Sequence, residues 1–164
     1  MNIEKVLAEI EGCRERMHRI VDEKFDMAVQ GIITGKGMPD EAVALSAPPS
    51  HFKGTKPAAV IFPDGRRVEA ATWRKAVTAI LQDCMDTPVS GGRLMAIRGK
   101  VMGRQRVILG DSPEGMDAPL EIGQDLFMEG KFDTGSLLYV LTKRVLEPAG
   151  YDYGRISIQL RRRP

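Results

Sequence analysis

Aromatic residues make up only 5% of this chain, with a single tryptophan. A core built from it must therefore rely on Val, Ile, Leu, Met and Ala rather than on stacked rings. Cysteine is nearly absent: Cys13 and Cys84 are the only two, far apart in sequence. Two such residues form neither a disulfide framework nor a cysteine metal cluster, and they read as reduced, half-buried thiols. Histidine is equally scarce, with only His18 and His51. Neither stands at ligand spacing from Cys, Asp or Glu, which argues against structural zinc. A Ser–His–acid triad would have to recruit one of them, and no G-x-S-x-G elbow is present. No apolar run approaches the roughly 20 residues that cross a bilayer. The opening MNIEKVLAEIEG is acidic and lacks a basic stretch followed by an apolar one. No secretory signal and no membrane association are expected, and the expected location is the cytoplasm.

What the chain does contain is ordinary for a globular protein, with 43% hydrophobic and 28% charged residues among 164. The formal net charge is +2, unevenly placed: residues 1–50 carry −3 and the remainder +5. An acidic arm on a basic body permits anionic partners without requiring them.

Residues 1–30 read as one amphipathic helix. Ile3, Val6, Ile10, Cys13, Met17, Ile20 and Met27 recur at alternating three- and four-residue spacings, a heptad-like seam interrupted by Lys24. Glu4, Lys5, Glu9, Glu11, Arg14, Glu15, Arg16 and Arg19 lie between them. Ile3, Val6, Ile10, Met17 and Ile20 are the candidate association residues. Two fates are open for this seam: docking on the body, or pairing with a second copy as a homo-oligomer. Residues 31–57, rich in Gly and Pro, read as a linker, with a short helical turn near Asp40–Leu45. The segment GIITGKG resembles a P-loop only superficially. Its spacing is one residue short, and Gly37 stands where a hydroxyl should hold magnesium.

The body spans 58–164. Ala58–Phe62 and Arg67–Ala70 read as strands joined by the Pro63-Asp64-Gly65-Arg66 turn, and Thr72 caps a helix carrying Trp73, Ala76, Val77, Ile80, Leu81 and Cys84. Residues 93–103 are ambiguous between helix and strand. Arg104–Leu109, Leu120–Ile122 and Leu126–Phe132 read as strands, the last two as a hairpin around Gly123. Asp133 or Thr134 caps a final helix that Pro148 stops, and Arg155–Leu160 closes the body as a strand. This order predicts an α+β fold, with a mainly antiparallel sheet and helices on one face, preceded by the N-terminal helix.

The strongest chemical signal is basic. Arg93, Arg98, Lys100, Arg104 and Arg106 fall in a stretch without a single acid, with Gly99 and Gly103 among them. Arginine offers bidentate contacts to phosphate, and glycine lets backbone approach it. The plainer reading is a solvated strand edge. Arg66, Arg67, Arg155 and the Arg161–Arg163 tail are candidates for the same face. Asp111, Glu114, Asp117 and Glu121 cluster in one loop, and Glu129-Gly130-Lys131 forms a short E-x-K pattern. Metal-dependent nuclease chemistry would use these carboxylates, although a solvated loop explains them as well. No cofactor is expected.

The stretches FKGTKPAAVIFPDGRRVEAATW, GRQRVIL with DSPEGM, and KFDTGSLLYVL followed by GYDYGRISI carry a resemblance. Together they resemble a small uncharacterised α/β domain of proteins from bacterial phages and integrative mobile elements. That resemblance implies a mobile-element setting, not a reaction. Together with the residues above, three roles are open. The first is a non-enzymatic protein that binds nucleic acid or a nucleoprotein complex. The second is a counter-defence (anti-CRISPR-like) protein that inhibits a host immune protein such as a CRISPR nuclease, or sequesters a nucleotide signal using Arg104, Arg106 and the tyrosines at 151 and 153. The third is a metal-dependent nuclease.

Overall fold

A computed structural model describes residues 2–33 and 41–161, with side chains of the first helix described through residue 26. The chain divides into two units, residues 1–40 and 41–164. Among its described residues the first forms one helix, α1 (Ile3–Ile33). At 1.5 Å per residue it is about 46 Å long. Asn2 starts it, its side-chain oxygen accepting from the Glu4 amide at 3.1 Å.

The second unit is α+β, as its sequence pattern predicts, but it holds two antiparallel sheets rather than one. The strands are β1 (Ala42–Ala44), β2 (Pro57–Ile61), β3 (Arg67–Glu69), β4 (Val101–Met102), β5 (Val107–Gly110), β6 (Pro119–Gly123), β7 (Leu126–Glu129) and β8 (Ser157–Leu160). One sheet runs β1-β8-β2-β3 and the other β4-β5-β7-β6. The expected linker is therefore partly folded. Ala42–Ala44 is a strand paired with β8, where a helical turn was expected, and Pro49–Phe52 forms a 3-10 turn that buries Phe52 completely. Alternation of small and branched residues over Ala42–Ala44 suits a strand edge better than a helix. The GIITGKG segment lies largely outside the described residues.

Helix α2 (Trp73–Asp86) organises the body. The Thr72 hydroxyl caps it by accepting from the Lys75 amide at 3.2 Å. Its apolar face buries Trp73, Ala76, Val77, Ile80, Leu81 and Cys84. It packs on β2 of the first sheet and on β6 of the second, and so joins the two. Gln82 reinforces the second contact by donating to the Ile122 carbonyl at 3.2 Å. Trp73 belongs to the core: its ring meets Phe52 edge to face at 5.3 Å, and its indole N–H donates to the Thr55 carbonyl at 2.9 Å.

Between α2 and α3 (Ser90–Ala96) the chain turns within three residues. Val89 adopts φ 69°, ψ −56°, and the Ser90 amide donates to the Pro88 carbonyl at 2.9 Å. This γ-turn is strained for a β-branched residue. Gly91 follows, packed so tightly that a Cβ there would run into the Met85 carbonyl oxygen. The ambiguous 93–103 stretch thus resolves as the end of α3, a turn, and β4. The β6–β7 hairpin and the positive φ of Gly65 in the β2–β3 turn follow the sequence reading. Asp133 caps α4 (Thr134–Tyr139), accepting from the Ser136 amide at 3.0 Å. The helix then widens into a π-helical segment over Val140–Leu146. There the buried Thr142 hydroxyl donates back to the Leu138 carbonyl at 2.8 Å, a local competitor for the helical ladder.

Candidate functional site

The five cations of the acid-free stretch do not form one free face. Arg98, at the C-terminal end of α3, donates from Nε to the Met95 carbonyl at 2.9 Å and from Nη1 to the Asp125 carbonyl at 2.7 Å. It ties α3 to the β6–β7 turn. Arg106, at the foot of β5, donates to Asp117 Oδ2 at 3.1 Å, lies 3.7 Å from Glu129 Oε2, and sits over the Phe132 ring at 5.9 Å. Both guanidinium groups serve the fold. Acids distant in sequence neutralise Arg106, which a reading confined to residues 93–106 could not detect.

Arg93, Lys100 and Arg104 remain exposed, and among the described residues they take part in no ion pair of 4 Å or less. Lys100 lies in the turn entering β4 and Arg104 in the turn leaving it. That strand is two residues long, so both cations flank one short edge. Met102 between them is exposed, and its carbonyl accepts from Arg144 Nη2 at 2.8 Å. Arg144 thereby joins the same edge from the π-helical segment, a contribution that no local pattern groups with β4. The other cations proposed for this face are paired elsewhere. Arg66 binds Asp64 and Asp83, Arg67 binds Glu69 and Gln159, and Arg155 lies 3.6 Å from Asp152. Arg161 is exposed, and residues 162–163 of the tail lie outside the described residues.

The carboxylates also resolve into structural roles. Glu129 is fully buried, and its two oxygens accept from the amides of Asp117 at 2.6 Å, Ala118 at 2.9 Å and Lys131 at 2.9 Å. Burial pushes its carboxyl upward. The three amide bonds and the Arg106 charge outweigh burial and hold it below the ordinary carboxylate range. Glu129 thus anchors the 111–118 loop to β7. Asp117 is bridged by Arg106 and by Lys131 Nζ at 3.2 Å. Among the described residues no group of three or more His, Cys, Asp or Glu side chains is placed to hold a metal.

A second network was not visible in the sequence. Asp83, on α2, accepts from the Tyr151 hydroxyl at 2.5 Å and pairs with Arg66 from the β2–β3 turn. Arg66 in turn lies 4.7 Å over the Phe62 ring. Burial first, and the Asp83 carboxylate second, push the Tyr151 phenol well above its usual range, which keeps it a proton donor. Burial, with the Asp83 charge adding to it, pushes the neighbouring Cys84 thiol up to about 12, so Cys84 is inert at neutral pH. Tyr153 donates to Glu147 at 2.8 Å. Both tyrosines, like Arg106, hydrogen-bond to acids of the body.

Among the described residues, most of the exposed large apolar side chains are on α1. Ile3, Val6, Leu7, Ile10, Met17, Ile20, Val21 and Phe25 are each between 40% and 69% exposed, and Cys13 is exposed with them. All five candidate association residues are in this set. Scattered exposed apolar residues are normal, but a continuous stripe along one helix is not. Among the described residues no helix is long and apolar enough to cross a membrane.

No family model, no curated protein and no solved structure matches this chain.

Proposed function

We propose that this chain is a non-enzymatic binding protein of a phage or mobile element, which self-associates through α1 and contacts nucleic acid, or a nucleoprotein complex, through the β4 edge of its body. The observation that carries the self-association is the apolar stripe of α1, with Ile10 at 59% and Met17 at 63% exposure. A long helix in water draws most of its stability from burying such a face. The cationic edge supports the second half of the reading. Lys100 and Arg104 flank a two-residue strand, Arg93 stands on the preceding helix, and none of the three is consumed by an acid. Of the acid-free stretch, they are the cations left to meet phosphate oxygens.

Titrating the full chain against a fluorescently labelled duplex at increasing salt tests the nucleic-acid contact. Three phosphate contacts per protomer give a slope of about −3 in log affinity against log salt. Absence of binding at low salt rejects the contact and leaves the association of α1 to be judged by light scattering alone.

A further inference from the structure

The reading that α1 self-associates leaves open how two copies meet, and the charge order of the helix addresses that. We infer that the partner of α1 is a second copy of the same helix lying antiparallel, in the register that sets residue i against residue 23 − i.

The argument starts from three charge blocks. Residues 3–13 carry a net −2, residues 14–20 a net +2 through Arg14, Arg16 and Arg19 against Glu15, and residues 21–26 a net −2. A parallel, in-register pair lays each block on its own copy, so blocks of like net charge adjoin, and Glu9 facing Arg14 is the one favourable flanking pair. It also sets the Lys24 ammonium of each chain against the other inside the seam. The antiparallel register instead lays the basic block of each helix beside residues 3–9 of the other, which carry a net −1. Shifting that register by one heptad brings Arg16 against Arg16 and Glu9 against Glu23, which is again repulsive.

The same register satisfies the apolar seam. Ile3 meets Ile20, Val6 meets Met17, and Ile10 meets Cys13, each twice by symmetry. Every one of these six side chains is exposed in the single chain. Lys24 falls outside the 3–20 segment that this register pairs. At the flanks, Glu9 of each copy faces Arg16 of the other, and Leu7 lies along the aliphatic stem of Arg14. Antiparallel alignment also opposes the two helix dipoles. One geometry therefore buries the seam from Ile3 to Ile20, pairs the flanking charges and leaves Lys24 out of the seam.

Two measurements on the full chain test this. In a Cys13→Ala background, one chain carries Val6→Cys and another carries Met17→Cys. Mild oxidation of the mixture should give the mixed 6–17 disulfide and little of either homodimeric crosslink. A dimer that yields only the 6–6 and 17–17 crosslinks overturns the antiparallel register and leaves self-association standing. A dimer that yields no crosslink also overturns it. A chain that is monomeric by light scattering rejects both the register and the association on which it rests. Independently, Glu9→Arg should raise the dimer Kd by about tenfold, and adding Arg16→Glu should restore it. A parallel pair would set Glu9 against Arg14, so failure of Arg16→Glu to rescue Glu9→Arg counts against the inference.

Discussion

Tyr151 and Asp83 lie 68 residues apart in the chain and meet through a hydrogen bond of 2.5 Å, the phenol donating to the carboxylate. The contact fastens the turn after the π-helical segment to α2, and Arg66 holds the other carboxylate oxygen. Tyr151→Phe keeps the ring packing and removes only the donor. Loss of a hydrogen bond to a charged, mostly buried acceptor costs about 1–2 kcal/mol. Urea unfolding of the variant should show a lower midpoint with an unchanged slope. An unshifted midpoint would show that water replaces the phenol at no cost.

Glu129 makes the stability of the body depend on pH in an acid-specific way. Its carboxyl is held below the ordinary range in the folded state. The stabilisation is therefore complete above the unfolded value of about 4.3 and is lost as pH falls through the lower folded value. Glu129→Gln should destabilise the body at pH 7 by about 1–3 kcal/mol, because one of its amide acceptors is lost in a fully buried site. It should also flatten the acid limb of stability against pH. If wild type and variant lose stability in parallel below pH ~4.3, the titrating group lies elsewhere.

Val89 offers a substitution expected to stabilise. Its side chain is 68% exposed while its backbone sits at positive φ. Val89→Gly relieves strain of about 1–3 kcal/mol, against roughly 1 kcal/mol of added backbone entropy in the unfolded chain. A small net rise in the urea midpoint is expected. Two residues away the opposite holds. Gly91→Ala places a methyl group against the Met85 carbonyl and should cost about 1–3 kcal/mol, since backbone there cannot yield as a flexible side chain would. A Gly91→Ala protein as stable as wild type would mean that the α2–α3 turn is free to rearrange.

Arg104 and Arg106 are two residues apart and should respond differently to mutation. Arg104→Glu should weaken duplex binding and lower the salt slope by about one or more, with little change in stability. Arg106→Gln should act through the fold, because it removes the partner of Asp117 and Glu129. Binding that falls equally for both variants at matched folded fraction would remove the distinction between a phosphate contact and a structural arginine.

Local signals were legible in the sequence. The Thr72 and Asp133 caps, the Gly65 turn, the β6–β7 hairpin and the buried set of α2 all follow from residue type and spacing. The division into two sheets was not, because it depends on which strands find each other across α2. Helical or strand periodicity does not carry pairing. Within the basic stretch, the sequence shows five cations and no acids. Asp117 and Glu129 reach Arg106 only after β5 and β7 pair, so its neutralisation is a tertiary fact. The Ala42–Ala44 strand was missed for a related reason: three small and branched residues acquire a strand conformation only because β8 lies beside them.

In the first sheet β8 lies between β1 and β2, so the last strand of the body is an inner one. During synthesis β1 and β2 therefore wait for residues 157–160 before either gains its shared neighbour. Until then two strand edges that end up satisfied stand open, and the sheet cannot close from its N-terminal side. Helix α1 needs no such late arrival, since its hydrogen bonds are all local. The order of synthesis thus lets α1 form while the first sheet of the body still waits for its last inner strand.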